Sequence, residues 1–138
     1  MSDSNFTQQH VFIVGEDSLF DEGVTNLLAQ QTDLLLSHAK FSDERVFLNT
    51  IKQELPDVIL VCESGSLDAA RILGLVSSQT MLRRLLLVVI IVIRLHNNVI
   101  DVYERPKIVA GKINFKPRRI IAQTENDLLN IVSRKYTS

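Results

Sequence analysis

The sequence predicts an α/β fold: a five-stranded parallel sheet covered on both faces by helices. Two patterns carry this prediction. Short runs rich in Val, Ile and Leu recur at residues 11–14, 34–36, 58–62, 85–93 and 107–115. Strands buried on both faces read as such runs rather than as strict alternation. Between the runs lie segments with apolar residues at helical spacing, most of them opened by a capping side chain. Strands alternating with helices imply parallel pairing through right-handed crossovers, and hence a doubly wound sheet.

Each element has a local reason. The first run leads into Gly15, Glu16, Asp17 and Ser18, where Asp17 or Ser18 caps a helix over residues 19–30. Phe20, Val24, Leu27 and Leu28 fall on its inner side. The second run, 34–36, is the weakest strand signal. Ser42 or Asp43 caps a helix reaching Glu54, with Val46, Phe47 and Ile51 inward, and Pro56 stops it. Residues 57–62 form the third strand and 66–77 a third helix, weakened by Gly74. Residues 85–93 form the fourth strand. Residues 97–105 read as a short fourth helix ended by Pro106, and 107–115 as a fifth strand that Gly111 can split. Thr124 caps a last helix over 125–134, with Leu128, Leu129 and Val132 inward.

A chain of 138 residues suits one domain with a sizeable core. Residues 1–9 are polar and read as a flexible N-terminus, and 135–138 as a tail or the start of a linker. Hydrophobic residues make up 46% and charged residues 22%, which argues against long disorder. The net charge of −1 and a pI near 6.3 lack the basic footprint of a free-standing nucleic-acid binder. The longest apolar run, 85–93, is far shorter than the roughly 20 residues a membrane span needs. With no leader-like segment, the expected location is the cytoplasm. The single cysteine, Cys62, excludes an intramolecular disulfide. His10, His38 and His96 show no ligand spacing. No phosphate loop, nucleophile elbow or zinc pattern occurs, so no catalytic residue, metal or cofactor is expected.

In doubly wound sheets the working site lies beyond the carboxyl ends of the strands. Here those ends carry Gly15, Glu16, Asp17, Cys62, Glu63, Arg94 and Lys116.

Three stretches carry a family resemblance: residues 12–24, the run Leu55-Pro56-Asp57-Val58-Ile59-Leu60-Val61, and Phe115-Lys116-Pro117. In this order they resemble a response-regulator receiver domain, closest in style to the NarL-type receivers that precede a helix-turn-helix. The resemblance covers about residues 11–134 and implies a flavodoxin/receiver-like fold. It also implies a site where a histidine kinase passes a phosphoryl group to an aspartate beside Mg²⁺. This chain departs from that site. The acidic pair falls on Gly15 and Glu16, with Asp17 adjacent, and the acceptor falls on Cys62. The Thr/Ser position falls on Arg94, the lysine is kept as Lys116, and the aromatic switch falls on Ile113. A thiol forms no acyl phosphate.

The resemblance is therefore to a degenerate pseudo-receiver. The implied function is a non-phosphorylatable signalling module in two-component-type or transcriptional regulation, acting by protein contact or dimerisation. Arg94 is expected to pair with Glu16 or Asp17 and stand in for metal and phosphate. In receivers the fourth helix, fifth strand and fifth helix form the partner face. That face falls here on Val99, Val102, Tyr103, Ile108, Ile120 and Ile121, some of which also suit a core. The expected partner is a second copy or another protein, with a DNA-binding output domain or partner outside this chain, and no membrane. The basic cluster Lys112, Lys116, Arg118 and Arg119 reads as a solvated loop. Two alternatives stay open. One is redox sensing through Cys62, with Arg94 and Lys116 favouring the thiolate. The other is a small-ligand-binding or enzymatic flavodoxin-like domain.

Overall fold

The computed structural model describes residues 8–64, 67–77, 88–94, 97–104, 107–109, 112–114 and 117–133. The expected N-terminal segment up to residue 7, the tail at 135–138, His96 and Lys116 lie outside these residues.

The first half follows the predicted alternation. β1 (Gln9–Gly15), α1 (Leu19–Leu28), β2 (Leu34–Lys40), α2 (Glu44–Glu54), β3 (Val58–Glu63) and α3 (Ala69–Ser77) lead to β4 (Val89–Arg94). These four strands pair in parallel in the order β2-β1-β3-β4. Ser18 caps α1, and Asp43 caps α2 by accepting from the backbone N–H of Arg45 and Val46. α2 ends at Leu55 in the left-handed conformation, φ 46°, just before Pro56.

Helices cover both faces, and strand alternation sorts the core accordingly. Val11, Ile13, Leu60, Cys62 and Ile91 pack with α1 and with α4 (Glu125–Ser133). Phe12, Val14, Ile59, Val61 and Ile90 pack with α2 and α3. In α2, Phe47 and Ile51 are buried as expected, but Val46 is exposed, because it lies one residue off the inner stripe.

The second half departs from the prediction. Residues expected to form a fourth helix are instead β5 (Val99–Tyr103), antiparallel to β4. Only residues 95–98 separate the two strands. A connection that short makes a hairpin, whereas a parallel crossover needs a dozen residues or more. Side chains also alternate between faces along the segment: Ile100 and Val102 join the α1/α4 face, which turns Asp101 to the other face. Asn97 starts the strand by accepting from the N–H of Val99 through its side chain.

The expected fifth strand is split. β6 (Lys107–Val109) and β7 (Lys112–Asn114) pair antiparallel with each other in a separate two-stranded sheet. The place beyond β5 is taken by β8 (Arg118–Ile121), antiparallel to β5. The main sheet is therefore mixed and six-stranded, β2-β1-β3-β4-β5-β8, rather than parallel and five-stranded.

Candidate functional site

The carboxyl ends of β1 and β3 lie side by side, and a buried carboxylate that the sequence reading overlooks sits between them. α1 opens with a capping box. The hydroxyl of Ser18 accepts from the N–H of Asp21, and Oδ2 of Asp21 accepts from the N–H of Ser18 at 3.1 Å. This reciprocal pair folds the Asp21 side chain back over Gly15. Asp21 is 0% exposed. A Cβ at position 15 would collide with its carboxylate, so only glycine fits there. Its second oxygen, Oδ1, is buried without a hydrogen-bond partner among the described residues. Leaving such a group unsatisfied typically costs about 1–3 kcal/mol.

Cys62, at the end of β3, is fully buried and faces the α1 side of the sheet. Burial, and then the negative charge of Asp21, push its thiol up to about 12 from the ordinary value of 9.0. This reverses the thiolate-favouring environment that redox sensing requires. Arg94 does not offset this because it lies on the opposite face: Ile93, the cross-strand partner of Cys62, joins the α1/α4 core, and Arg94 follows it in alternation.

The shifted thiol has a consequence for stability. Below pH 9 the thiol is protonated in both the folded and the unfolded chain, and its contribution is fully present. Above that, the unfolded chain releases the proton first. Stability is therefore expected to fall from pH 9 to about 12, by about 4 kcal/mol over the whole window. Urea denaturation of wild type and Cys62→Ala across this range measures it, and the alanine variant should show a shallower decline.

Arg94 belongs to a row of alternating charges across four strands. Its Nε donates to Oε1 of Glu63 at 2.8 Å, and its second guanidinium nitrogen meets Oδ2 of Asp101 at 3.0 Å. Arg119 on β8 grips the same Asp101 carboxylate with two bonds, 2.8 and 3.2 Å. The ion pairs of Arg94 thus run to Glu63 and Asp101, not to Asp17, which is exposed at a positive φ of 65°. Glu63 and Arg94 are direct cross-strand partners, as are Asp101 and Arg119.

Asp101 is 1% exposed, so its charge is held almost entirely by these two arginines. The hydrogen bond from Arg119 outweighs burial and, with Arg94, holds its carboxyl below the ordinary value. Burial works against the charge on Arg94, but the bonds to Asp101 and Glu63 more than offset it. Oε2 of Glu63 also accepts from the N–H of Ala69 at 2.7 Å, which ties the row to the start of α3.

Glu16 is half-buried elsewhere, at the wall of a cavity of about 290 Å³ shared with Lys40, Phe41, Ser42, Leu67 and Arg71. The structure therefore separates the predicted site residues. Gly15 and Cys62 stay together around Asp21, Arg94 lies on the other face, Glu16 borders a separate cavity, and Asp17 faces solvent.

The predicted interface also divides. Val102 is fully buried core and unavailable to a partner. Val99, Tyr103 and Ile120 are half-buried, Ile121 is 68% exposed, and the side chain of Ile108 lies outside the described residues.

Asp21 and Asp101 are the residues missed in sequence. The Ser-x-x-Asp spacing of Ser18 and Asp21 is a capping-box signal that points to the first. The alternation in Val99-Ile100-Asp101-Val102-Tyr103 points to the second.

Among solved structures, the chain matches the signal receiver domain of a protein assigned as the response regulator NarL, from Mycobacterium tuberculosis. The TM-score is 0.51 and the identity 24%, over 66% of this chain and 69% of that one. The chain has a receiver fold. No family model matches it, and neither does any curated protein. Relative to the receiver pattern set out above, this fold keeps the helix-flanked parallel strands β1–β4 and replaces the fourth helix with an antiparallel strand. Among the described residues no group of His, Cys, Asp or Glu could hold a metal ion, and no helix is long and apolar enough to cross a membrane.

Proposed function

We propose that this chain is a pseudo-receiver: a cytoplasmic signalling module that acts through protein contact without phosphoryl transfer, in two-component-type or transcriptional regulation. One observation carries the reading. Where a receiver presents an open acceptor carboxylate, this chain presents the buried, neutral thiol of Cys62 behind the carboxylate of Asp21. Neither group is placed to attack a phosphoryl donor. The rigid charge row through Arg94 further favours one fixed arrangement of β3, β4, β5 and β8 over a switch.

The contact surface lies around β5 and β8. Ile121 on the edge strand is exposed, and Val99, Tyr103 and Ile120 are half-buried beside it. A second copy or an output protein that binds DNA is the partner this reading calls for.

Incubation with acetyl phosphate and Mg²⁺, followed by intact-mass measurement, tests the reading. The mass is expected to stay unchanged, and beryllium fluoride is expected to leave the oligomer size unaltered. A stable phosphoadduct would overturn it.

A second reading, a small-ligand binder, is favoured by the cavity that Glu16, Lys40, Phe41, Ser42, Leu67 and Arg71 line at the carboxyl ends of the strands. It ranks below the first because Arg71 is already engaged. Its guanidinium stacks on Phe41 at 5.1 Å and pairs with Glu44 at 3.0 Å.

A further inference from the structure

We infer that Asp21 is an internal plug: its carboxylate closes the pocket between the ends of β1 and β3, and Gly15 is glycine because the plug occupies the space its side chain would need. The inference deepens the pseudo-receiver reading and rests on it for its meaning in signalling. The geometry stands by itself.

Three observations converge. The Asp21 carboxylate is wholly buried above Gly15, where no Cβ fits. One of its oxygens is fixed to the N–H of Ser18, which aims the side chain inward. The other has no hydrogen-bond partner among the described residues, so the capping bond alone does not account for burying both oxygens. An aspartate needed only as a helix cap would face solvent, as Asp43 does at the start of α2. The burial of Asp21 is thus a separate feature, and Cys62 lies close enough behind it for the Asp21 charge to act on the thiol. With the pocket filled from within, a bound group cannot reach the ends of β1 and β3, and any regulation has to enter at the surface.

Native-state thiol labelling separates a plug from a mere neighbouring charge. A small methylthiolating reagent is applied to the folded chain at neutral pH, with circular dichroism melts confirming the fold of each variant. Wild type is expected to label at Cys62 only as fast as it opens. Asp21→Ala, which removes the plug, is expected to label at least tenfold faster. Asp21→Asn keeps the volume without the charge and is expected to stay near the wild-type rate.

Equal, slow labelling of a folded Asp21→Ala would overturn the plug, as would equally fast labelling of both variants, which assigns the protection to charge. Should Asp21→Ala not fold, melting temperatures of Gly15→Ala and of Gly15→Ala with Asp21→Gly decide the matter. The double variant is expected to melt higher than the single, and a lower or equal value would overturn the inference. The acetyl phosphate experiment uses only the wild-type chain, so failure of the pseudo-receiver reading is seen separately.

Discussion

Cys62→Asp, which puts an aspartate where the receiver resemblance places the acceptor, is expected to cost about 3–5 kcal/mol of folding stability at pH 7 and to yield no phosphoadduct. The position is 0% exposed within the α1/α4 core. A carboxylate there loses its hydration, and the described charge that acts on this position is the negative one of Asp21. Its near neighbour is another buried carboxylate, Asp21. Burial and a like charge both raise a carboxyl pKa, so the new aspartate favours its protonated form when folded. The deficit relative to wild type should therefore shrink as the pH falls toward 5, where the unfolded chain also begins to take up the proton. Urea denaturation at several pH values measures this, with Cys62→Ala as the size control. Wild-type stability together with a phosphoadduct would mean that the pocket is open and that the receiver chemistry needs only its acceptor back.

Asp101→Ala is expected to cost about 2–4 kcal/mol, more than Arg94→Thr at about 1–2 kcal/mol. The two substitutions break the same row of charges at different points. Removing Asp101 takes away the bidentate partner of Arg119 and one of the two partners of Arg94. Removing Arg94 leaves the buried Asp101 still gripped by Arg119, and leaves Glu63 a quarter exposed and still bonded to Ala69.

The pH dependence carries the same signature. The carboxyl of Asp101 is held below its ordinary value, so its contribution is present above that value and is lost as pH falls through its depressed range. That part of the acid-side loss should vanish in Asp101→Ala. Equal effects of the two substitutions would show that Arg119 adds nothing to the row. Arg119 is the most exposed member, and exposed pairs are commonly worth under about 1 kcal/mol.

Legibility in the sequence tracks the range of the interactions involved. The caps at Ser18 and Asp43, the stop at Pro56, and the inner stripe of Val24 and Leu28 all rest on contacts within a few residues of chain. A sequence shows such contacts directly. The continuous run through β4 announces a central strand for a similar reason, since both its faces are buried and every residue must be apolar. The same run does not show which way the next segment turns. Val99-Ile100-Asp101-Val102-Tyr103 carries both a helical and a strand pattern when read alone, and five residues are too few to separate them by period.

By itself, then, the sequence determines that the chain forms β1–β4 with α1, α2, α3 and α4 on two faces, and that β3 carries a thiol at its carboxyl end. These follow from composition and local spacing. Only the tertiary structure decides that β5 is a strand, that Arg94 serves Asp101 on the face away from Cys62, and that Asp21 fills the space over Gly15. Each of these depends on a partner brought close by folding. A strand is stabilised by the neighbour it pairs with, a side chain's face is set by register, and a buried charge is tolerated only where distant residues meet it.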